Sequence, residues 1–429
     1  MSRFSVLWLS VAFFSPVTML SAEKPADKEI VVTGASLADT ERTLKNCLAG
    51  NCSPDADVRA AIAHAENQFV AGEYRAAKTT LKKAIGRNGK YRNQFPVELS
   101  YLYRASGRIA EHLGETDEYR LRLLDMRDTL RSNFPADDAR VLSAQLEIAD
   151  SRVKLGYPDN ALDIYADVEK AALAVGQNQI ATLAKLRANL LIYAIGENER
   201  YQPDMKRARA ALTEMVKRPL PGSDDFSLVA EVALARIDRR EGRGDSTDAI
   251  MRRVLSRGVD RPILLSAGAI DVPKSAYGER TNSGQSLLLN VGPRRIEGES
   301  MPAPQNVLTQ IPRNFEDRWM DVGFWVTADG RVNDVEILRT EGSGDWMKLV
   351  INSIQSRQYA PIRDKDGATH PGFYMIERYT YTARYMEDIT GSRIPRRSTQ
   401  PRIERLDLTP ENFDQPFVNM PKTNRQTAS

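Results

Sequence analysis

The side chains of this sequence that could carry out chemistry are few, and the two cysteines, Cys47 and Cys52, are the first of them. They enclose four residues, a spacing that suits a disulfide bond in an oxidising compartment. A loop this small would gain roughly 2 kcal/mol in the chain-entropy model, less any strain. The spacing is not that of a redox-active CxxC pair, and only three scattered histidines could complete a metal site. We therefore predict a structural disulfide.

Other candidate sites for catalysis or ligand binding are weak. The segment Gly86–Lys90 lacks the spacing of a phosphate loop, and Asp364–Gly367 lacks the terminal glutamate of a calcium loop. His64 and His112 fall in helical patterns, where a core or helix-end position suits them better than a ligand role. No nucleophile stands beside a base in a recognisable pattern. The sequence predicts no catalytic residue, no cofactor and no metal.

Length and charge limit the class of protein. The chain has 429 residues, enough for two or three domains, and is 41% hydrophobic and 27% charged. Sixty basic and 57 acidic residues give a net charge of +3. This near balance argues against a dedicated nucleic-acid-binding protein.

The first 22 residues have the pattern of a signal peptide. Arg3 precedes the apolar stretch Val6–Leu20, and small residues surround a cleavage point after Ala22. The alternative is an uncleaved membrane anchor, but the apolar stretch is near the short limit for a span and Pro16 interrupts it. We expect a mature protein that is soluble after secretion.

Residues 57–260 are predicted to be helical and repetitive. Ala65, Phe69, Gly72, Tyr74 and Ala77 have the spacing of a turn between two helices whose small residues allow close packing. Turn-like glycines follow at 114, 156, 196 and 242, so that the spacings are 42, 42, 40 and 46 residues. The pattern resembles the tetratricopeptide repeat family and predicts about five helical hairpins. The resemblance implies a curved array whose concave face binds peptides; a helical bundle without a binding role is the alternative.

The terminal part begins with a predicted hairpin. Val322, Phe324 and Val326 alternate onto one strand face, and Asp329-Gly330 would supply the two positive-φ residues of a tight turn. Asp345 is a candidate N-cap for a helix. The apolar stripe of that helix consists of Met347, Val350, Ile351 and Ile354.

A long last strand completes this unit. Phe373, Met375, Tyr379, Tyr381 and Tyr385 share one face. The opposite face carries Arg378, Thr380, Thr382 and Arg384, and its polarity predicts contact with water. The result is a β-β-α-β unit, a small antiparallel sheet covered by one helix.

This order resembles the C-terminal domain of the TonB energy-transducer family, over roughly residues 320–385. The matching features are the hairpin VTADGRVNDVEIL, Asp345 before the helix, Tyr359-Ala360-Pro361 as an aromatic-x-Pro step, and Asp366-Gly367 before the last strand. The family often has Trp where this chain has Arg357, and we expect that difference to loosen the helix end. The resemblance implies a bacterial periplasmic location.

A second segment is similar to a different part of the same system. Glu29–Gly34 reads EIVVTG and resembles the short TonB box of outer-membrane receptors, which pairs with a TonB C-terminal domain. We predict a strand donor at Ile30, Val31, Val32 and Thr33. We predict an accepting edge on the last strand, with residues Tyr374, Ile376, Arg378, Thr380, Thr382 and Arg384. A strand that docks on its own protein, or a disordered tail, is the alternative for the donor.

The predicted organisation is therefore multidomain, with an all-α tetratricopeptide-like solenoid followed by a small α+β TonB-like domain. The predicted segments are a signal peptide (1–22), an extension with the disulfide (23–56), helical repeats (57–260), a Pro-rich linker (261–318), the terminal domain (319–386) and a largely disordered tail (387–429). The linker composition predicts that the array and the terminal domain share few contacts and fold independently.

The function predicted from these features is that of a periplasmic, non-enzymatic adaptor related to the TonB system. It would bind protein partners through its helical repeats and by strand addition to its terminal domain. The partner would be a TonB-dependent outer-membrane receptor or another TonB-like domain, with no nucleic acid, and with a membrane only if residues 1–22 stay attached. The alternatives are a membrane-anchored energy transducer and a secreted enzyme with a site between the domains. N-terminal sequencing distinguishes the membrane-anchored transducer from the secreted adaptor, because a mature start at Glu23 excludes an anchor.

Overall fold

A computed structural model describes residues 35–50, 52–243, 249–250, 252–253, 262–270, 318–361, 372–386 and 396–409. The signal-like segment, the box-like residues Ile30, Val31, Val32 and Thr33, and most of the Pro-rich segment lie outside the described residues. The predictions made for them stay predictions.

The part of the chain from residue 35 to residue 243 is helical. Its helices are α1 (Leu37–Ala49), α2 (Pro54–Val70), α3 (Tyr74–Asn88), α4 (Pro96–His112), α5 (Thr116–Asn133), α6 (Ala139–Lys154), α7 (Pro158–Ala174), α8 (Asn178–Glu199), α9 (Gln202–Lys217) and α10 (Asp224–Arg240). A 3₁₀ turn, Gly89–Tyr91, continues α3. Proline opens α2, α4 and α7 at a position where no backbone N–H is needed.

Glycine ends the first helix of successive hairpins, as the sequence predicts. Gly72, Gly114, Gly156 and Gly242 have φ values of 88°, 67°, 89° and 79°. At the first turn, the Glu73 amide donates to the Gln68 carbonyl at 2.8 Å and the Gly72 amide donates to Phe69 at 3.0 Å. This pair of hydrogen bonds is the Schellman arrangement, which needs a residue in the left-handed conformation directly after the helix. Each helix packs against the next, which confirms an array of helical hairpins.

The turn predicted at Gly196 is wrong. Gly196 lies inside α8, and the left-handed residue that ends this helix is Arg200, with φ of 57°. A Cβ on Gly196 would come within 3.1 Å of the Tyr201 carbonyl oxygen and of the Met205 side chain. Gly196 therefore allows a close approach of α9 rather than a turn.

The disulfide between Cys47 and Cys52 is confirmed, with Cα atoms 5.1 Å apart. It joins the end of α1 to the start of α2. The helical array thus begins at Leu37, earlier than the predicted boundary at residue 57.

The terminal domain has the predicted strand–strand–helix–strand order and three further strands. Its elements are β1 (Leu264–Ser266), β2 (Trp319–Val326), β3 (Val332–Glu341), α11 (Trp346–Gln355), β4 (Gln358–Tyr359), β5 (Phe373–Met386) and β6 (Arg396–Asp407). The main sheet is antiparallel in the order β3-β2-β5-β6, and β1 pairs with β4. Two predictions are corrected: part of the linker forms β1, and part of the supposedly disordered tail forms β6.

The sheet packs its predicted apolar face on α11. Met320, Val322, Phe324 and Val326 are fully buried in one cluster with the α11 residues Trp346, Val350 and Ile354. The hairpin turn differs from the prediction, because Gly330 has a positive φ of 83° and Asp329 does not. Asp345 is the N-cap residue of α11, as predicted, but its side chain forms no capping bond.

Arg357 does not loosen the helix end; it is buried in the core of the terminal domain. Its Nη1 lies 3.0 and 2.9 Å from the two carboxylate oxygens of Glu377, and its Nη2 donates to the Tyr379 hydroxyl at 2.5 Å. Burial alone would raise the pKa of the Glu377 carboxyl, but Arg357 and Arg405 outweigh burial and lower the pKa. A paired cation thus fills the position where TonB C-terminal domains often have Trp.

The terminal domain is packed against the helical array. Trp319, the first residue of β2, belongs to the buried cluster of the array. Its ring covers the α2–α3 turn so closely that a Cβ on Gly72 would lie 2.2 Å from ring atom Cζ2. The expectation of two domains with few shared contacts is therefore wrong.

We expect Gly72→Ala to destabilise the protein more than Gly176→Ala. Both glycines have positive φ, 88° and 72°, so both variants gain backbone strain of about 1–2 kcal/mol. A Cβ at Gly176 meets open space, whereas one at Gly72 must displace Trp319. The additional loss in the free energy of unfolding should be about 1–3 kcal/mol. Urea denaturation followed by circular dichroism measures it, and equal losses for both variants would contradict the contact.

Candidate functional site

The strand-accepting edge predicted on β5 is wrong, because β5 is an interior strand. It pairs with β2 on one side and with β6 on the other. Arg378, Thr380 and Thr382 are completely buried, and Tyr374 and Ile376 nearly so. Arg384 lies in the same paired strand. The polar face of β5 contacts the helical array, not water, and the sequence pattern alone does not distinguish these two environments.

Arg378 is the centre of this contact. Its Nη1 donates to the Phe69 carbonyl at 2.5 Å and its Nη2 donates to the Val70 carbonyl at 2.6 Å. Both carbonyls belong to the last turn of α2, where the helix leaves acceptors without partners and where the helix dipole favours a cation. The guanidinium therefore caps a helix that lies about 300 residues earlier in the sequence.

Asp321 completes the binding of this guanidinium. The Nε and Nη2 of Arg378 donate to the Asp321 carboxylate at 2.6 and 2.9 Å, in a two-point geometry. Arg339 contacts the same carboxylate at 2.5 Å and the Val70 carbonyl at 3.2 Å. The Arg378 guanidinium carbon also lies 4.2 Å from the centre of the Trp319 ring. The cation thus has acceptors on both sides of the contact and an aromatic face beside it.

An aromatic group from the array lies next to Arg378. Phe69 stacks on Tyr74 at 4.8 Å between ring centres, and His112 meets Phe69 edge-on at the same distance. The Tyr74 hydroxyl bonds the Thr380 hydroxyl at 2.9 Å, and His112 Nδ1 lies 3.4 Å from that hydroxyl. Residues of two consecutive hairpins therefore meet one side chain of β5.

A second arginine of the sheet contacts the end of a helix in the next hairpin of the array. Arg402 of β6 donates to the Glu111 carbonyl, in the last turn of α4, at 2.9 Å. The Glu111 carboxylate in turn pairs with Lys154 at the end of α6, and Arg402 pairs with Glu404 at 3.1 Å. Neighbouring strands thus present arginines to neighbouring helix ends. Sequence reasoning missed this pair, because nothing local to Arg402 marks its distant acceptor.

The terminal domain also contacts the last helix of the array. Arg236 of α10 donates to the Leu264 carbonyl of β1 at 2.6 Å. Ala235 packs with Leu265 and Ala360, and the Ala360 amide donates to the Ile263 carbonyl at 2.8 Å. The domain is therefore held at both ends of the array, by α2 and α4 and by α10.

Beyond the bridge between Arg331 and Gln358 at its start, the outer side of β3 is a free sheet edge within the described part of the chain. β3 pairs with β2 on its inner side, and most of its ten residues are exposed. Its register shifts twice, opposite Asp321/Val322 and opposite Gly323/Trp325, and Asp334 has a positive φ of 50°. Such irregularities protect an edge against unselective pairing. The edge is thus available for pairing over short stretches.

A groove of about 370 Å³ lies between α2 and α4 on the array. Its lining combines apolar, aromatic and charged side chains: Arg59, Ile62, Ala63, Glu66, Tyr101, Arg104, Ala105 and Arg108. Arg104 is held by Glu147 of α6 at 2.7 Å, and Arg59 by Asp55 at 2.5 Å. Partial burial raises the pKa of the Glu66 carboxyl, and Arg108 opposes that shift. The groove can contact a partner with both apolar and polar groups.

No three His, Cys, Asp or Glu side chains of the described residues are placed to hold a metal ion. None of the helices described is both long and apolar enough to cross a bilayer.

No known family model matches this chain, and no curated protein sequence matches it. Among solved structures it is similar to BtubC (BKLC) from P. vanneervenii, with 15% identity over 56% of this chain and 97% of that one, and a TM-score of 0.40. It is also similar to a kinesin light chain with TPR-like repeats from Podosopora anserina (14% identity, 47% and 94% covered, TM-score 0.37). The quorum sensor NprR from B. thuringiensis is similar at 18% identity, with 51% and 58% covered and a TM-score of 0.38. These neighbours are TPR-like helical repeat proteins, and the similarity concerns the helical-repeat fold.

We expect His112 to make the stability of the protein depend on pH. Burial, with smaller effects from Lys154, Arg402 and Arg378, lowers the pKa of His112 to about 3, although Glu111 opposes the shift. The unfolded chain takes up this proton near pH 6.5. The free energy of unfolding is therefore unaffected above that pH and falls as the pH decreases towards 3, by up to about 1.4 kcal/mol per pH unit.

The His112→Gln variant isolates this effect, since glutamine keeps a polar group near Thr380 and does not titrate. Denaturation midpoints of both proteins between pH 7 and pH 4.5 should diverge, with the shallower dependence in the variant. Parallel curves would mean that His112 is not buried as a neutral group.

Proposed function

We propose that this chain is a non-enzymatic protein-binding adaptor of the bacterial periplasm, related to the TonB system, which accepts an extended segment at the free edge of β3. The observation that carries the proposal is the pairing of Val332–Glu341 on one side only within the described part. The resemblance of the hairpin and of the Tyr359-Ala360-Pro361 step to TonB C-terminal domains supports the relation to that system. The accepting strand is β3, in place of β5.

The two outer strands of the sheet differ in how well they suit strand addition. β6 contains Pro401, which has no backbone N–H to donate, and Arg402 holds this strand against α4. β3 contains no proline and lies at the opposite edge of the sheet. β3 contacts the array through the Arg339 side chain, so a partner can pair with its outer backbone edge without displacing Arg378 or Arg402.

The expected affinity is low. A donor strand would form about five main-chain hydrogen bonds worth roughly 0.5–1.5 kcal/mol each, and association costs at least ~4 kcal/mol. These terms nearly cancel, so side-chain contacts decide the outcome. We expect a dissociation constant on the order of micromolar or weaker between separate molecules.

The box-like segment is the proposed donor because of where it joins the array. Asn67 of α2 donates to the Ala35 carbonyl at 2.7 Å, and Ala35 follows that segment directly. Val70, three residues beyond Asn67, accepts from Arg339 of β3. Asn67 and Val70 both lie in the last turn of α2, so the box-like segment joins the array near the helix end that Arg339 of β3 contacts. Occupation within the molecule would hold the edge until a receptor or another TonB-like domain displaces it.

The groove between α2 and α4 is the proposed second surface for a protein partner. Because α2 and α4 are bonded to Arg378 and Arg402 at their ends, the groove and the β3 edge keep a fixed relation to each other. An adaptor that holds two partners in one orientation needs this property.

Hydrogen exchange of the secreted protein with Val32→Pro tests the proposal. The proline removes a backbone donor and restricts the preceding residue, so the segment can no longer pair within the molecule. We expect faster exchange of β3 amides in this variant than in the unaltered protein. Addition of a peptide of residues 27–35 at millimolar concentration should restore protection in β3.

The matched control is the same peptide with proline at the position of Val32, which should give no protection. No change in β3 exchange, either in the variant or on addition of the unaltered peptide, would contradict strand addition at this edge. Protection in β5 alone would contradict the assignment of the accepting strand.

A further inference from the structure

The helix α3 and the turn after it carry a local excess of positive charge. Residues 74–94 contain seven basic residues and no acidic residue, whereas the whole chain has 60 basic and 57 acidic ones. The basic residues are Arg75, Lys78, Lys82, Lys83, Arg87, Lys90 and Arg92. This is a departure from the balanced composition, and it is confined to one element of the array.

Neighbouring helices neutralise the cations at the margins of α3. Lys78 pairs with Glu115 at 2.5 Å, and Arg87 forms two bonds to the Asp57 carboxylate at 2.8 and 2.7 Å. Lys82, Lys83 and Lys90 are exposed, and in the part of the chain that the structure describes they form no ion pair with a carboxylate. We call these three residues the α3 lysine strip.

The strip lies on one side of α3. Successive residues of an α-helix are rotated by about 100°, so positions 82 and 86 fall about 40° apart and position 83 borders them. Lys90 follows in the 3₁₀ turn that continues α3. Gly86 stands between Lys82 and Lys90, and a Cβ built there would meet nothing within 4 Å. No side chain therefore rises between the lysines, and the helix backbone can approach a flat surface closely.

The helix dipole explains only part of this pattern. Cations in the last turn of a helix interact favourably with its dipole, which accounts for Arg87 and Lys90. The dipole effect falls off within the last turn, and Lys82 and Lys83 lie further from the helix end at Asn88. These two lysines have no such structural role.

We propose that the α3 lysine strip binds anionic lipid headgroups at a membrane surface. Cations near such a surface act additively and need no shaped pocket, which suits a flat strip of three lysines. The rest of the chain is net acidic, with 53 basic and 57 acidic residues, which makes an extended nucleic-acid contact less suitable than a small area of membrane contact. This inference does not depend on the proposed adaptor function.

The position of the strip allows membrane and protein contacts at the same time. The terminal domain meets α3 at its first residue, Tyr74, whereas Lys82 and Lys83 lie in the second half of the helix and Lys90 lies in the turn after it. The β3 edge lies beyond that first end, next to Val70. A protein held at a membrane through the strip would therefore keep β3 accessible.

Vesicle flotation of the full secreted protein tests the proposal. The probe is phosphatidylcholine vesicles with about one third phosphatidylglycerol, at low ionic strength, because screening weakens the contact. We expect the variant Lys82→Gln/Lys83→Gln/Lys90→Gln to lower the partition coefficient roughly 100-fold, from the additive effect of three cations. Vesicles of phosphatidylcholine alone should bind neither protein.

The matched control is Lys206→Gln/Arg207→Gln/Lys217→Gln on α9, which removes the same charge from three exposed cations of the same array. We expect this control to bind as the unaltered protein does, and thermal denaturation should show that both variants fold. An equal decrease of the partition coefficient in both variants would mean that binding depends on net charge alone, and it would overturn the proposal. Absence of binding to the anionic vesicles, or tighter binding to duplex DNA than to vesicles, would overturn it as well.

Discussion

The packing of this protein depends on one buried cation, the Arg378 guanidinium. It has no exposed surface, and its acceptors are the Asp321 carboxylate from β2 and two carbonyls from the end of α2. Hydrogen bonds to charged groups contribute about 1.5–3 kcal/mol each, but an unpaired buried charge costs several kcal/mol. Because the acceptors come from both parts of the chain, separating them would leave the cation and the helix carbonyls to be resolvated. The array and the sheet are therefore parts of one folded unit, and Arg402 extends the same contact to α4.

Patterns that repeat locally could be read correctly from the sequence. The alternation of Val322, Phe324 and Val326 predicts the core face of β2, because a strand buries every second side chain whatever its partners are. The glycines of the hairpin turns are recognisable, since only a left-handed residue fits there, but Gly196 shows that glycine also serves close packing. The polar face of β5 could not be assigned, because polar residues at every second position are equally compatible with water and with a polar interface. β6 lacks an apolar period, so pairing with β5 alone defines it.

The contact between the array and the sheet determines which surfaces of the protein are accessible to partners. It removes β5 and its polar face from the surface, and it leaves β3 as the open edge at the side of the sheet away from β6. It also fixes the array groove, the β3 edge and the α3 lysine strip in one rigid arrangement. Burial of charge at the interface costs stability compared with an apolar contact. In exchange for this cost, the charged groups fix the geometry of the contact. An adaptor that binds weakly at each surface gains most from such an arrangement, because a second contact on a rigid body is favoured by proximity.

A double-mutant cycle between Tyr74 and Thr380 tests this account most directly. Their hydroxyls are 2.9 Å apart and join α3 to β5 across 306 positions of the sequence. The variants Tyr74→Phe, Thr380→Val and the double variant remove this bond with little change of shape, and urea denaturation gives the free energy of unfolding of each. If the array and the sheet fold as one unit, the coupling energy should be about 1 kcal/mol, with a single unfolding transition. Additive effects within about 0.3 kcal/mol, or two separate transitions, would contradict the interlocked structure.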